Sequence, residues 1–292
     1  MTQKYGGQAV IEGVMFASAK GVSLGVRKPN GDIHTESSPR IGLVRRLKLH
    51  RIWFIRGFVS LLDMLVLGTK MMNKSADLAS EDETESKPSS YLNIVYFIAA
   101  FVLSLAIAAV LFKFVPLYGA TFLVGSDVYP LLFTTVEGIL KLFIFLFYLF
   151  CIRFIPDIYR VFQYHGAEHM VIRAYEAGKK LTVSAVSKAS RFHPRCGTSF
   201  LVFVIAISIV LYTIIPLDMS LWAKFLYRLA LLPVLAGISF EVLQLLSKLS
   251  SYSYLSWLNY PGYAVQALTT AKPDNSQIEV SLASFNACKK IR

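Results

Sequence analysis

The chain has 292 residues, of which 55% are hydrophobic and only 16% are charged, against roughly 25% charged in ordinary soluble domains. With a mean hydropathy of +0.53, this composition excludes a purely soluble protein. The formal net charge of +12 is typical of nucleic-acid-binding proteins, but the placement of the charges, described below, favours a membrane protein without a nucleic-acid partner.

The first residues do not form an export signal. Gly6, Gly7 and Glu12 stand where a signal peptide needs an unbroken apolar segment, so we expect no cleaved signal. The three cysteines are widely spaced and odd in number, which predicts no disulfide framework and suits a reducing compartment. They are Cys151, Cys196 and Cys288.

Residues 1–50 are expected to form a soluble, strand-rich segment. The runs Val22–Arg27 and Ile33–Ser37 flank an Asn-Gly pair at 30–31, which predicts a β-hairpin with a type I′ turn. Residues 6–16 are predicted to form one apolar strand bracketed by glycines. Its single charge, Glu12, is either an edge-strand carboxylate in water or a carboxylate held near another segment or a metal.

A basic stretch at 40–51 precedes the apolar run Ile52–Gly68. That run is too short for a membrane span of about 20 residues. Arg56, Ser60 and Asp63 form a polar stripe at helical spacing on it. The pattern fits an interfacial helix attracted to anionic headgroups and equally a buried helix of the soluble part.

Four apolar runs have the length and composition of membrane-spanning helices. An Asp/Glu/Ser-rich stretch, Ala76–Ser90, separates them from the N-terminal region and is predicted to be a solvated linker. The four predicted spans are Tyr91–Val115, Tyr129–Ile152, Thr198–Ile215 and Leu221–Leu246.

The basic residues predict which side of the membrane each segment faces. Of the 30 Lys and Arg, 26 lie in residues 1–90, 152–197 and 247–292, whereas the connections 116–128 and 216–220 contain none. Because basic loops stay cytoplasmic, we expect both termini and the 152–197 segment in the cytoplasm of a cell-membrane protein. The net charge is then explained without nucleic acid.

A few charges fall inside the predicted spans. Glu137 and Lys141 are four residues apart, so we expect them to pair, and Lys113 lies near the outer end of the first span, where it can snorkel. Glu241, near the inner end of the fourth span, is a functional candidate because an ionisable group there is costly.

The most informative stretch is Tyr164–Met170, with His165, Glu168 and His169 in the order His-x-x-Glu-His. It belongs to a predicted helix that starts at Pro156-Asp157 and stops at Gly178. Residues four apart share one face of a helix, so both imidazoles can bind one divalent metal while the carboxylate activates water. The alternative is an exposed face that happens to carry two histidines. Three of the five histidines lie between 165 and 193, which favours the metal site.

Two further segments are expected near this motif on the cytoplasmic side. His193 and Cys196 lie in a turn at the start of the third span, and His-x-x-Cys in a turn is a plausible ligand pair. Its alternative is a basic helix-entry loop with an inert cysteine. Near the end of the chain, Asp274 and Gln277 predict a capping box that starts a helix over Asn275–Cys288.

Four motifs in order resemble one family: residues 6–15, 164–169, 193–200 and 261–274. The chain resembles the YqhQ-like family of bacterial multi-pass membrane proteins, described as predicted metal-dependent enzymes of unknown reaction. It departs from the family's pattern at Phe16 and Met170, where Met and usually Lys are expected. The resemblance implies that the motif positions Glu12, His165, Glu168, His169, His193 and Cys196 are the site residues.

Two functions follow as hypotheses. In the first, a divalent metal, preferably zinc, is bound by His165 and His169 with His193 or Cys196 as third ligand. Glu168 is then the general base, or a ligand if Glu12 is the base, and the protein hydrolyses an amide or ester in a membrane peptide or lipid-linked substrate.

In the second, the same residues form a structural metal site or a hydrogen-bonded clamp in a non-catalytic membrane scaffold. The scaffold would bind anionic lipid, a protein partner or a second copy of the chain. A transporter is less favoured, since the predicted spans contain few polar groups for a pathway.

The predicted fold class is a mainly α membrane protein with about four transmembrane helices and a cytoplasmic part that contains a small N-terminal β-hairpin region. The predicted regions are a cytoplasmic N-terminal part with hairpin and interfacial helix (1–75), an acidic linker (76–90), spans one and two (91–152), the cytoplasmic His-x-x-Glu-His segment (153–197), spans three and four (198–246) and a cytoplasmic C-terminal part (247–292).

Overall fold

The computed structural model describes residues 4–52, 54–80, 90–125, 128–249 and 253–291. The strands are β1 Tyr5–Val10, β2 Gly13–Ser18, β3 Gly21–Arg27 and β4 Ile33–Pro39. The helices are α1 Leu43–Arg46, α2 Ile55–Ala79, α3 Ser90–Ala109, α4 Val115–Val124, α5 Pro130–Ile152, α6 Pro156–Glu176, α7 Val183–Val186, α8 Gly197–Leu211, α9 Leu221–Ala230, α10 Leu232–Leu249, α11 Tyr260–Thr269 and α12 Asn275–Lys289.

The N-terminal region is a four-stranded antiparallel sheet in the order β1-β2-β3-β4. The single strand predicted over residues 6–16 is wrong: the chain turns at Ile11 and Glu12, and Val10 pairs with Gly13. Glu12 occupies this turn with φ of +49°, a region that L residues seldom adopt outside tight turns. The region is therefore a sheet of four strands, where three were predicted.

The predicted hairpin of residues 22–37 is confirmed, with Arg27 paired to Ile33. Its turn is not type I′, which needs positive φ at two successive residues, because only Gly31 of this loop has positive φ. Asn30 instead accepts a hydrogen bond from the Asp32 amide through its side chain at 3.0 Å. The asparagine therefore stabilises a five-residue loop as an Asx turn.

Both faces of the sheet are covered. Val14 and Phe16 of β2 belong to a core with α6 and α12, whereas Met15 packs on the opposite face against Leu67 and Met71 of α2. Successive side chains of a strand point to opposite faces, so β2 is apolar on both sides. The sheet is thereby fixed against α6, the helix that carries the His-x-x-Glu-His motif.

Helix α2 extends well beyond the predicted Ile52–Gly68 run and packs against β1, β3 and α10. Its polar stripe is paired rather than solvated: Arg56 donates to Glu241 of α10, with Nε 2.7 Å from Oε1, and Arg40 donates to Asp63 at 2.5 Å. One face of α2 makes these contacts, whereas Leu62, Leu65 and Val66 are exposed, so the interfacial helix and the buried helix both stay predictions. Ala76–Ala79 of the predicted linker belongs to α2, and residues 81–89 lie outside the described residues.

Among the residues that the structure describes, three helical segments are long and apolar enough to cross a membrane: Phe101–Val124, Pro130–Ile152 and Gly197–Ile214. A fourth candidate is the pair Leu221–Ala230 and Leu232–Leu246, which bends by 48°. The first segment runs from α3 into α4 through a π-helical turn, Val110–Phe114. The prediction of about four apolar helices is therefore confirmed. The predicted end of the first at Val115 is wrong, because the helix continues to Val124 through most of the predicted connection 116–128.

The C-terminal helix α12 begins with the predicted capping box. The Asp274 carboxylate accepts from the Gln277 amide at 2.8 Å, and the Gln277 side chain accepts from the Asp274 amide at 3.0 Å. Ile278 and Phe285 of its apolar face are buried in the core between the sheet and α6. Cys288 is buried there too.

Candidate metal centre

Helix α6 positions both histidines of the motif on one face. Pro156 occupies its first turn, where a missing amide hydrogen costs no hydrogen bond, and Gly178 follows its end with φ of +65°. That conformation favours glycine, which confirms Gly178 as the helix stop. The His165 and His169 rings lie 4.4 Å apart between centroids, one helical turn apart as predicted.

The turn before α8 brings Cys196 to the same place. Its Sγ lies 3.3 Å from Nε2 of His165, and one ligand atom each of His165, His169 and Cys196 lies within 4.8 Å of the others. Cys196 is also the N-cap of α8 and accepts from the Thr198 amide. A helix N-terminus favours a negatively charged ligand. We call these residues the three-donor cluster.

Main-chain carbonyls set the tautomers of both imidazoles. Nδ1 of His165 lies 2.9 Å from the Thr269 carbonyl oxygen, and Nδ1 of His169 lies 2.5 Å from the Arg191 carbonyl oxygen. A carbonyl only accepts, so each Nδ1 carries the proton and each Nε2 lone pair is available. Metal-binding histidines are usually oriented by such a bond. Two imidazoles with one thiol form a donor set that suits zinc.

Glu168 is buried beside the cluster. Its side chain is 5% exposed, and Oε2 lies 3.4 Å from Nε2 of His169. It packs against Gly7 of β1, where a Cβ would lie 2.5 Å from Oε1. Burial raises the pKa of this carboxyl, and electrostatic interaction with His165, His193 and Arg195 opposes the rise. A buried carboxyl beside the ligand atoms is placed to accept a proton from a bound water, which is the position of a general base.

His193 lies next to the cluster but uses both ring nitrogens elsewhere. Nε2 lies 3.1 Å from Glu176 Oε2, and Nδ1 accepts from the Arg195 amide at 3.3 Å. Its ring centroid is 5.7 Å from that of His169. Burial lowers the pKa of His193. Of the two candidates for third ligand, the geometry therefore supports Cys196.

Glu12 lies away from the donor atoms, on the N-terminal side of the motif. Its carboxylate accepts from Arg160 at 2.5 and 2.6 Å and from the Tyr164 hydroxyl at 3.2 Å. The bidentate ion pair leaves this carboxylate committed to α6 rather than to the three-donor cluster. Its pairing ties the β1–β2 turn to the helix that carries the histidines.

Sequence reasoning missed the residues that hold the two ligand segments together. Gln266 of α11 accepts from the His193 amide and donates to its carbonyl, both at 2.8 Å. Gly166 faces the Ala271 carbonyl oxygen, which a Cβ would approach to 2.2 Å. Gln266 and Ala271 belong to the motif 261–274. The sequence pattern alone does not predict that this motif packs closely on α6.

Comparisons with known proteins give a family. A protein family of unknown function, DUF1385, matches residues 52–291. The protein named "Uncharacterized protein YqhQ" of Bacillus subtilis (strain 168) is 39% identical over 290 residues, which cover 97% of this chain and 91% of that protein. No solved structure matches the chain. The chain therefore belongs to the DUF1385 family and is YqhQ-like, as its four motifs indicated.

Proposed function

We propose that this chain is a multi-pass membrane protein with a divalent-metal site, preferably zinc, at the cytoplasmic membrane face. We further propose that it hydrolyses an amide or ester of a membrane peptide or lipid-linked substrate. The observation that carries the proposal is the three-donor cluster, whose ligand atoms lie within 4.8 Å of one another and whose imidazoles are fixed by carbonyls.

Each residue of the site has a chemical role in this proposal. His165, His169 and Cys196 would hold the metal, and three protein ligands are the number that catalytic zinc sites use. A bound divalent metal supplies Lewis acidity, which activates water and polarises a carbonyl oxygen. Glu168 accepts the proton of the attacking water, because its carboxylate lies beside the ligand atoms and burial raises its pKa.

The position of the site supports a membrane-derived substrate. Helix α6 begins four residues after the apolar helix α5 ends, and Cys196 directly precedes the apolar helix α8. The ligands therefore lie where two candidate spans end. Since 26 of the 30 basic residues share that side, the same assignment puts both termini in the cytoplasm of a cell-membrane protein.

Metal analysis of the purified full chain tests the proposal. We expect about one equivalent of zinc per chain and its loss in His165→Ala and Cys196→Ala, since each removes one of three ligands. The matched control is His34→Ala, which removes a histidine of β4 outside the cluster. Wild-type protein without bound metal, or unchanged metal content in both ligand variants, would contradict the proposal.

A second candidate is a non-catalytic scaffold in which the cluster is structural. The observation that favours it is the direct contact of Cys196 Sγ with His165 Nε2 at 3.3 Å, because such a clamp holds α6 to α8 without chemistry. X-ray absorption of the metal-loaded protein separates the two. Four protein ligands favour the scaffold, since a closed site cannot bind substrate, and an exchangeable oxygen ligand favours the enzyme.

A further inference from the structure

The four basic residues that do not lie on the cytoplasmic side converge on one place inside the helical bundle. They come from three separate segments: the π-helical turn, α5 and α9. Each is buried or partly buried. Together with Glu137 and Tyr212 they form what we call the cationic cluster. Its cations are Lys113, Lys141, Lys224 and Arg228.

One carboxylate is shared by two of these cations. Arg228 Nη2 lies 2.6 Å and Lys141 Nζ 2.9 Å from oxygens of Glu137. Both Arg228 and Glu137 are only 1% exposed. The expected pairing of Glu137 with Lys141 is thus confirmed, and it is one half of a three-residue network. Both carboxylate oxygens of Glu137 therefore have a cationic partner.

The other two cations have no carboxylate partner. Among the described residues, none places a carboxylate oxygen within 4.0 Å of Lys113 or Lys224. Lys113 Nζ is held by the Tyr212 hydroxyl at 3.2 Å rather than snorkelling outward. Lys224, 3% exposed, places Nζ 5.5 Å from the Phe133 ring centroid. Asp218, on the exposed loop before α9, acts on Lys224 only at longer range.

Tyr212 joins three of the four cations into a single group, and Lys224 lies one helical turn before Arg228. Its ring centroid lies 5.0 Å from Lys141 Nζ, 5.2 Å from Arg228 Cζ and 5.5 Å from Lys113 Nζ. In formal charge, the four cations exceed the one carboxylate that pairs with them directly, Glu137, by three. An uncompensated charge inside a membrane bundle is costly and marks a functional site by default.

The helices are irregular where they carry this surplus. Lys113 lies in the π-helical turn Val110–Phe114, and Arg228 lies three residues before the 48° break between α9 and α10. π-Helical turns occur frequently at functional sites, and broken helices line ligand sites in membrane proteins. Both irregularities therefore point to a bound group of negative charge.

We propose that the cationic cluster binds a phosphate group within the helical bundle. Phosphate offers several acceptor oxygens, which the Arg228 guanidinium and the Lys ammonium groups can approach together. The group belongs to a lipid headgroup or to a free phosphate ion, which share this chemistry. The site is separate from the three-donor cluster, and the proposal does not depend on metal binding.

Thermal unfolding of the delipidated full chain in a nonionic detergent tests this site. The probes are inorganic phosphate against chloride at equal ionic strength, and dihexanoyl phosphatidic acid against dihexanoyl glycerol. A ligand at about 100 times its Kd raises Tm by about 5–10 °C for a chain of this size. The variants are Lys113→Met and Lys224→Met, whose apolar side chains fill similar space and leave the Glu137 pairs intact.

The matched control is Lys248→Met, at the exposed far end of α10. We expect the wild type and this control to be stabilised, and both cluster variants to lose the shift while keeping their helical circular dichroism. Stabilisation by phosphatidic acid alone identifies a lipid ligand, and stabilisation by both probes shows that free phosphate suffices. No shift in the wild type, or equal shifts in all variants, would overturn the proposal.

Discussion

At the residue level, each imidazole of the three-donor cluster takes its orientation from a carbonyl of another segment. His165 depends on Thr269 of α11, and His169 on Arg191 of the loop before α8. The sequence pattern predicts that the two histidines share a helix face, but it does not predict which nitrogen is available. Glu168 likewise owes its raised pKa to burial against β1, which lies more than 150 residues earlier in the chain.

Gly7 is the residue whose replacement should disturb Glu168 most directly. In Gly7→Ala the new Cβ lies 2.5 Å from Glu168 Oε1, so the carboxylate must move, and overpacking of this kind costs about 1–3 kcal/mol. We expect a lower Tm in detergent, measured by differential scanning fluorimetry. Gly6→Ala is the matched control, because its Cβ meets nothing within 4 Å. Equal Tm values for the two variants would show that this contact is unimportant.

At the level of elements, the sequence pattern predicts the helix ends that are fixed by residues close by in the chain. Helix α6 ends at the predicted glycine, and α12 begins at the predicted capping box. The β1–β2 turn was missed because Glu12 reaches positive φ while ion-paired to Arg160, a contact that no local pattern contains. The extent of α2 was missed for a similar reason, since its polar side chains pair with distant partners.

The capping box of α12 should contribute measurably to stability. Replacing Asp274 by Ala removes the acceptor for the Gln277 amide, which costs about 1 kcal/mol for a typical N-cap. We expect a lower unfolding free energy in denaturant titrations at neutral pH. Asn286→Ala, at an exposed position of the same helix, is the control and should leave stability within about 0.5 kcal/mol.

The effect of Asp274 should also depend on pH. Burial opposes ionisation of this carboxyl, but hydrogen bonds from Ser276 and the Gln277 amide outweigh it and lower its pKa. An acid with a depressed folded-state pKa stabilises the protein above its unfolded pKa and loses this contribution as pH falls through the folded value. The difference between wild type and Asp274→Ala should therefore shrink in acid, and a difference that grows would contradict the assignment.

At the level of the whole molecule, the chain divides into a sheet-and-helix part and a bundle of apolar helices. Helix α6 connects them, because it follows α5 directly and packs on β1, β2 and α12. The three-donor cluster lies at this junction, and the cationic cluster lies within the bundle. The protein therefore carries two chemically distinct candidate sites, one at the junction and one within the bundle.

The proposed membrane orientation can be tested by cysteine labelling in intact cells. The background is Cys151→Ser, which removes the exposed native thiol. Tyr129 lies at the proposed outer end of α5 and is 84% exposed, so Tyr129→Cys is the outer labelling site. Lys188→Cys, exposed near α7, is its cytoplasmic counterpart. We expect a membrane-impermeant maleimide to label position 129 in intact cells and position 188 only after lysis. The reverse labelling pattern would show that the chain has the opposite orientation in the membrane.

The sequence by itself determined the properties that depend on spacing and composition along the chain. These are the apolar helices, the hairpin of residues 22–37, the helical placement of His165 and His169, and the ends of α6 and α12. Only the tertiary structure decided that Cys196 joins the two histidines while His193 does not, and that three scattered cations meet around Tyr212. The physical reason is that periodicity fixes which face a side chain occupies, whereas ligands and ion pairs form between segments whose approach depends on the packing of the whole chain.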